Sequence, residues 1–123
     1  HRRPGPGAAR RAHLERQQRR RDDAAHWLDS DDAPDTVADG LKVPLTDLTW
    51  HFVRSFVTDI HTASEHEIVD AMKLIWKRLK IVMEPSSAVP LATILKNREI
   101  FAGKRVGIII TGGNVDVDKL PWN

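Results

Sequence analysis

The sequence predicts an α/β fold, and three stretches predict it. Arg105-Val-Gly-Ile-Ile-Ile-Thr-Gly-Gly-Asn114 contains a run, Val106 to Thr111, in which every residue but Gly107 is β-branched. Such a run favours a buried strand. Upstream, Ser64-Glu-His-Glu67 opens a long amphipathic helix, and Ser86-Ser87 with Pro90 opens a second, shorter one. Two helices leading into a buried strand are the parts of an open sheet with a helical layer on its face.

The strand breaks at Gly112-Gly113, where the chain can turn sharply and no side chain blocks a ligand. The Thr111 hydroxyl and the Asn114 amide then stand at the carboxyl end of the strand, the side on which open α/β sheets bind ligands. The plainer reading is a strand that ends in a glycine turn.

Taken in order, His1 to Arg21 carries eight Arg and one Glu, with two prolines beside glycines and almost nothing apolar. This arm cannot bury enough surface to offset the entropy of ordering it, so disorder is expected. It also reads as an arginine-rich tether for phosphates, or as sequence translated out of frame. Residues 22–39 reverse the charge with seven Asp and no base, and Asp29 to Gly40 forms an acidic connector. The net +2 therefore hides two opposed segments.

Thr46 or Asp47 can cap a helix with Leu48, Phe52, Val53 and Phe56 on one face. Val57 to His61 reads as a short strand. In Ser64-Glu-His-Glu67 the serine hydroxyl can accept from the Glu67 amide while Glu67 reaches back, a capping box. The helix it opens places Ile68, Ala71, Met72, Ile75, Leu79 and Val82 on one stripe, and Pro85 marks its end. Ser86 or Ser87 then caps a helix running to about Asn97, and Ala102-Gly103-Lys104 turns into the strand.

With 41% hydrophobic and 29% charged residues in 123, the chain has the composition of one globular domain. No apolar run approaches the roughly 20 residues of a membrane span, and a cytoplasmic location is the default. The absence of cysteine excludes disulfides and thiolate chemistry. The six histidines show no zinc spacing, the four tryptophans are scattered, and the glycine turn lacks the Gly-Lys-Ser/Thr of a P-loop. Ser86 and Ser87 have no His and Asp at triad spacings and read as caps.

A long helix ending in Met83-Glu-Pro-Ser86, a short helix, and a strand running into Thr111-Gly-Gly-Asn114 resemble the C-terminal part of the serine/threonine dehydratase and serine racemase family, the fold-type II pyridoxal-phosphate enzymes. Thr36-Val-Ala-Asp-Gly40 and Gly-Gly-Asn-Val-Asp116 belong to the same resemblance, which runs from about Asp22 to Trp122. It implies a three-layer open-sheet domain, of which residues 22–123 would be an incomplete C-terminal portion.

The resemblance also implies chemistry. The Thr111 position hydrogen-bonds the pyridine nitrogen of pyridoxal phosphate, and a neutral hydroxyl there makes the ring a weaker electron sink than a carboxylate would. That suits elimination of a β-hydroxyl from a serine-, threonine- or hydroxyaspartate-like substrate, or racemisation. Gly112 and Gly113 would let the backbone pass the ring. Asn114 would brace the turn, and in nucleotide-responsive members its counterpart, like that of Lys80, meets a nucleotide. Glu84 would join the polar network near the cofactor, or else be a carboxylate braced by neighbouring amides.

Arg21-Asp22-Asp23-Ala24 resembles the end of the family's divalent-cation motif, with Asp23 at the position of a ligand for an ion such as magnesium. Gln17 falls where the first carboxylate belongs, which argues for an incomplete site. The family's Schiff-base lysine and glycine-rich phosphate loop have no counterpart in these residues. Lys73, Lys77 and Lys80 lie on a helix mostly off its apolar stripe, and the other lysines lie in loops or at element ends. No catalytic residue is therefore expected here, and no regulatory domain after Thr-Gly-Gly-Asn. The resemblance implies a homodimer acting on a small hydroxy-amino acid, without membrane or nucleic-acid partners. The rival expectation is a non-catalytic remnant or a basic-armed interaction protein, and unpaired sheet edges would make either one aggregation-prone.

Overall fold

The computed structural model describes residues 14–15 and 35–122. Almost all of the arginine-rich arm, together with Gln17 and Asp23, lies outside them. Two compact units divide the chain: 1–33 with 44–61, and 34–43 with 62–123.

In the first unit, helix α1 spans Asp47–Phe56. Thr46 is its cap, accepting from the Thr49 amide at 3.3 Å, so the threonine and not Asp47 fills that role. The apolar face expected for this helix forms but is not covered, since Leu48, Phe52 and Phe56 are exposed. Phe52 and Phe56 cover part of one another, with ring centroids 6.0 Å apart. Val57 to His61 is not a strand. Within it, Asp59 accepts from the Ile60 amide at 2.8 Å and meets His61 at 3.4 Å.

The second unit is built on helix α2, Glu65–Leu79, and helix α3, Pro85–Lys96, which pack against one another. The capping box forms as expected: the Glu67 amide donates to Ser64 Oγ, and the Ser64 amide donates to Glu67 Oε2 at 2.7 Å. Ile68, Ala71, Met72 and Ile75 of α2 are buried against Ala88 and Ala92 of α3, with Ala38 and Met83 completing the core. Alanines on both helices allow their backbones to approach, and Met72 and Met83, each 0% exposed, fill the space that remains.

The stripe stops earlier than its spacing suggests. Lys80 adopts the left-handed conformation at φ 58°, and α2 ends there, five residues before Pro85. Leu79 and Val82 are consequently exposed. The indole of Trp76 donates to the Met83 carbonyl at 3.1 Å, which fastens the returning chain to the helix it has just left. Trp122 packs edge-on against Trp76 at 5.4 Å, with the Lys73 ammonium 5.8 Å from its ring, so the C-terminal segment is docked on α2.

Helix α3 begins at Pro85, whose missing N–H costs nothing in a first turn, and Glu84 precedes it as N-cap without a side-chain bond. Ser86 and Ser87 are inside the helix and do not cap it, and Pro90 is an interior residue beyond the first turn. Asn97 closes α3 by donating both its backbone and its side-chain N–H groups to the Thr93 carbonyl. A short helix α4, Arg98–Phe101, follows.

Beyond α4 the expected buried strand is absent. Among the described residues there is no strand, and Val106, Ile108, Ile109 and Ile110 are exposed, Ile109 by 80%. The reason is that a strand is a pairwise object, whose alternate backbone groups need a neighbouring ladder. None of the described residues provides one.

Candidate functional site

The site is where the N-terminus of α3 meets the loop 111–114. Its centre is Ser87, 1% exposed and the most deeply buried polar side chain described. Ser87 Oγ accepts from the Thr111 amide at 3.1 Å and from the Gly112 amide at 3.0 Å. It stands 2.8 Å from Thr111 Oγ1 and 3.2 Å from the Gly112 carbonyl. That carbonyl also accepts from the Glu84 amide at 3.1 Å. The Asn114 amide in turn donates to Glu84 Oε2 at 3.3 Å. Two residues of the helix entrance thus hold four consecutive peptide units of a loop more than twenty residues away.

The glycines have a specific geometric reason. A Cβ on Gly112 would lie 2.9 Å from Glu84 Oε2, and one on Gly113 would lie 3.0 Å from the Val82 carbonyl oxygen. Their bare backbone is what lets the loop press onto residues 82–84. A third glycine belongs to the same place: the Gly40 amide donates to Ser86 Oγ at 2.9 Å, and a Cβ there would lie 3.0 Å from that oxygen. The Thr36–Gly40 loop is set by its own contacts, the Thr36 hydroxyl accepting from the Ala38 amide and Glu65 accepting from the Val37 amide.

The structure brings Glu84, Thr111, Gly112, Gly113 and Asn114 together, and it changes how Glu84 and Asn114 act. Glu84 opens α3; it does not end α2. Its carboxylate is braced by an amide, but that amide comes from the remote loop and not from the following turn. Asn114 braces the turn through its backbone N–H. Ser86 and Ser87, read from sequence as caps, are the fasteners of the site. Gly40, read only as a loop position, lies against them. Two adjacent hydroxyls just inside a helix were the available signal, but helix capping is the usual use of that pattern. Thr111 as a residue is exposed while its backbone is held and its hydroxyl lies 2.8 Å from the buried Ser87 Oγ.

None of the lysines is buried. Among the described residues no group of three or more His, Asp or Glu could hold a metal ion, and no helix is long and apolar enough to cross a membrane.

Residues 8–112 match the family described as pyridoxal-phosphate dependent enzyme. The chain belongs to the fold-type II pyridoxal-phosphate-dependent enzymes. The match extends N-terminal of Asp22, into the arginine-rich stretch. Over 99 residues the chain is 77% identical to the β-hydroxyaspartate dehydratase of Paracoccus denitrificans (strain Pd 1222), covering 80% of this chain and 31% of that one. The crystal structure of serine racemase from Dictyostelium discoideum superposes with a TM-score of 0.63 at 44% identity, over 68% of this chain and 28% of the racemase. A pyridoxal 5'-phosphate-dependent aspartate racemase superposes with a TM-score of 0.72 at 29% identity, over 85% of this chain and 35% of that one. The chain thus spans about a third of the length of the family members it matches.

Proposed function

We propose that this protein acts as a pyridoxal-phosphate-dependent dehydratase of β-hydroxy amino acids, with hydroxyaspartate as its substrate class. The observation that carries the reading is Thr111: a neutral hydroxyl on an exposed residue whose backbone is held, followed by two residues without side chains. That combination fits a flat heteroaromatic ring whose nitrogen takes a hydrogen bond without being forced to carry a proton. The 77% identity to a β-hydroxyaspartate dehydratase supports the choice of substrate.

When bound, the cofactor supplies the electron sink for removing the α-proton and expelling the β-hydroxyl, with 2-oxo acid and ammonia as products after hydrolysis. In this reading Thr111 donates a hydrogen bond to the ring nitrogen. Gly112 and Gly113 keep the backbone low beside the ring, and Glu84, through Gly112 and Asn114, fixes the height of the loop. Glu84 also extends the polar network toward the cofactor. The three-layer open sheet is completed when residues 106–111 gain strand neighbours. A homodimer, a cytoplasmic location and a divalent cation such as magnesium held through Asp23 belong to the same reading.

The test combines the chain with the N-terminal two-thirds of a related dehydratase. The expected result is a pyridoxal-phosphate absorption band and 2-oxo acid from hydroxyaspartate ahead of serine and threonine. Absence of both the band and the product would overturn the proposal. Loss of optical purity without 2-oxo acid would favour a racemase, the reading that the likeness to serine racemase supports.

A further inference from the structure

We infer that Ser87 is a positioning residue that sets the direction of the Thr111 hydroxyl proton, making Thr111 a hydrogen-bond donor toward the open side of the loop. The inference deepens the proposed function and rests on it for the identity of the acceptor, a ring nitrogen.

The argument is a count of hydrogen-bonding capacity. A serine hydroxyl has two acceptor lone pairs and one proton. Both lone pairs of Ser87 are taken, by the amides of Thr111 and Gly112 at 3.1 and 3.0 Å. Ser87 therefore cannot accept from Thr111. Its single proton goes either to Thr111 Oγ1 at 2.8 Å or to the Gly112 carbonyl at 3.2 Å. The Thr111 contact is the shorter, so Thr111 Oγ1 receives it, and the Gly112 carbonyl keeps the Glu84 amide either way. In either case the proton of Thr111 is not used on Ser87. It is left to the exposed side of the loop, where an acceptor can take it.

The consequence is chemical. A donor with its orientation fixed in advance matches an unprotonated ring nitrogen, and needs no reorganisation when the ring arrives. A threonine free to turn could equally accept from a protonated ring. Ser87, which never touches the cofactor in this reading, would thereby influence the ring's protonation.

Two of the readouts need no cofactor. In the isotopically labelled full chain, the three-bond couplings of the Thr111 methyl carbon report its χ1 rotamer, and amide exchange reports the two N–H bonds to Ser87. The wild-type chain should show one rotamer and slow exchange at Thr111 and Gly112. In Ser87→Ala both amides should exchange about tenfold faster, as loss of roughly one net hydrogen bond requires, and the Thr111 couplings should average. Ser87→Thr should restore both. An unchanged rotamer in Ser87→Ala, or unchanged exchange at the two amides, would overturn the inference.

If Ser87→Ala loses the Trp76–Trp122 contact and unfolds, Thr111→Val decides instead. Slow exchange at residues 111 and 112 in that variant supports Ser87 as the organiser, and fast exchange overturns it. In the assembled enzyme, pyridoxal phosphate carrying ¹⁵N in the ring reads the donor direction. An unprotonated shift with wild type and Ser87→Thr, moving toward the protonated value in Ser87→Ala, supports the inference, and a shift that does not move overturns it. Should the assembly take up no pyridoxal phosphate, the proposed function falls, while the rotamer and exchange data still decide the role of Ser87.

Discussion

Gly112→Ala is a sharp probe of the site because its cost depends on one other side chain. The new Cβ would lie 2.9 Å from Glu84 Oε2 and 3.0 Å from Oε1 and Cδ, well inside an ordinary carbon–oxygen contact. Gly112 does not have a positive φ, so alanine meets no backbone strain there. The carboxylate must retreat, and in doing so it gives up the Asn114 amide at 3.3 Å. A hydrogen bond to a charged group contributes about 1.5–3 kcal/mol, and an exposed one such as this stands at or below the low end. Against this, replacing glycine by alanine restricts the unfolded chain and stabilises by about 0.4–1 kcal/mol. The net expectation is destabilisation of about 0.5–1 kcal/mol.

In a Glu84→Ala background the obstruction is gone, and the same substitution should become stabilising by the glycine-to-alanine term alone. The coupling between the two positions is then about 1–1.5 kcal/mol, the lost hydrogen bond itself, within the range for residues in contact. Urea unfolding followed by tryptophan fluorescence, for the wild type, both single variants and the double variant, measures it. Gly113→Ala is the control, because it meets the Val82 backbone oxygen and removing Glu84 cannot rescue it. An equal cost of Gly112→Ala with and without Glu84 would refute the reasoning.

Three further outcomes are expected. Lys80→Gly removes a side chain from a left-handed residue at φ 58°; it should stabilise by about 1 kcal/mol, seen as a higher melting temperature, whereas a drop would mean that the lysine side chain holds the helix end. Glu67 is kept below its ordinary value of 4.5 first by the hydrogen bond from the Ser64 backbone and then by Lys96. A lowered folded pKa means that its stabilisation is present above the ordinary value and disappears as pH falls through the folded one. Glu67→Gln should therefore flatten the acid limb of the unfolding midpoint, and an unaltered limb would show that the capping-box carboxylate does not contribute. Ile109→Thr, at a position 80% exposed, should change stability by less than about 0.5 kcal/mol yet slow aggregation measured by light scattering; equal aggregation would place the sticky surface elsewhere, with α1 the next suspect.

What the sequence determined by itself about this protein is whatever closes within a turn or two of chain. The Ser64–Glu67 box and the buried stripe from Ile68 to Ile75 each depend on residues three or four apart, and local geometry is enough to fix them; the choice of Thr46 over Asp47 as the cap of α1 was not fixed that way. The family, too, was legible, because it is written in contiguous motifs such as Thr111-Gly-Gly-Asn114. Tertiary structure decided the rest. Ser86 and Ser87 find partners 46 and 24 residues away, and no local rule distinguishes a hydroxyl that caps its own helix from one that reaches across. The stripe lost Leu79 and Val82 because Lys80 turned left-handed and Trp76 caught the Met83 carbonyl, a contact across a reversal of the chain that has no periodic signature. Residues 106–111 have the composition of a strand but not its structure, because β-branching makes a residue suited to a sheet and only a neighbouring backbone makes it a strand.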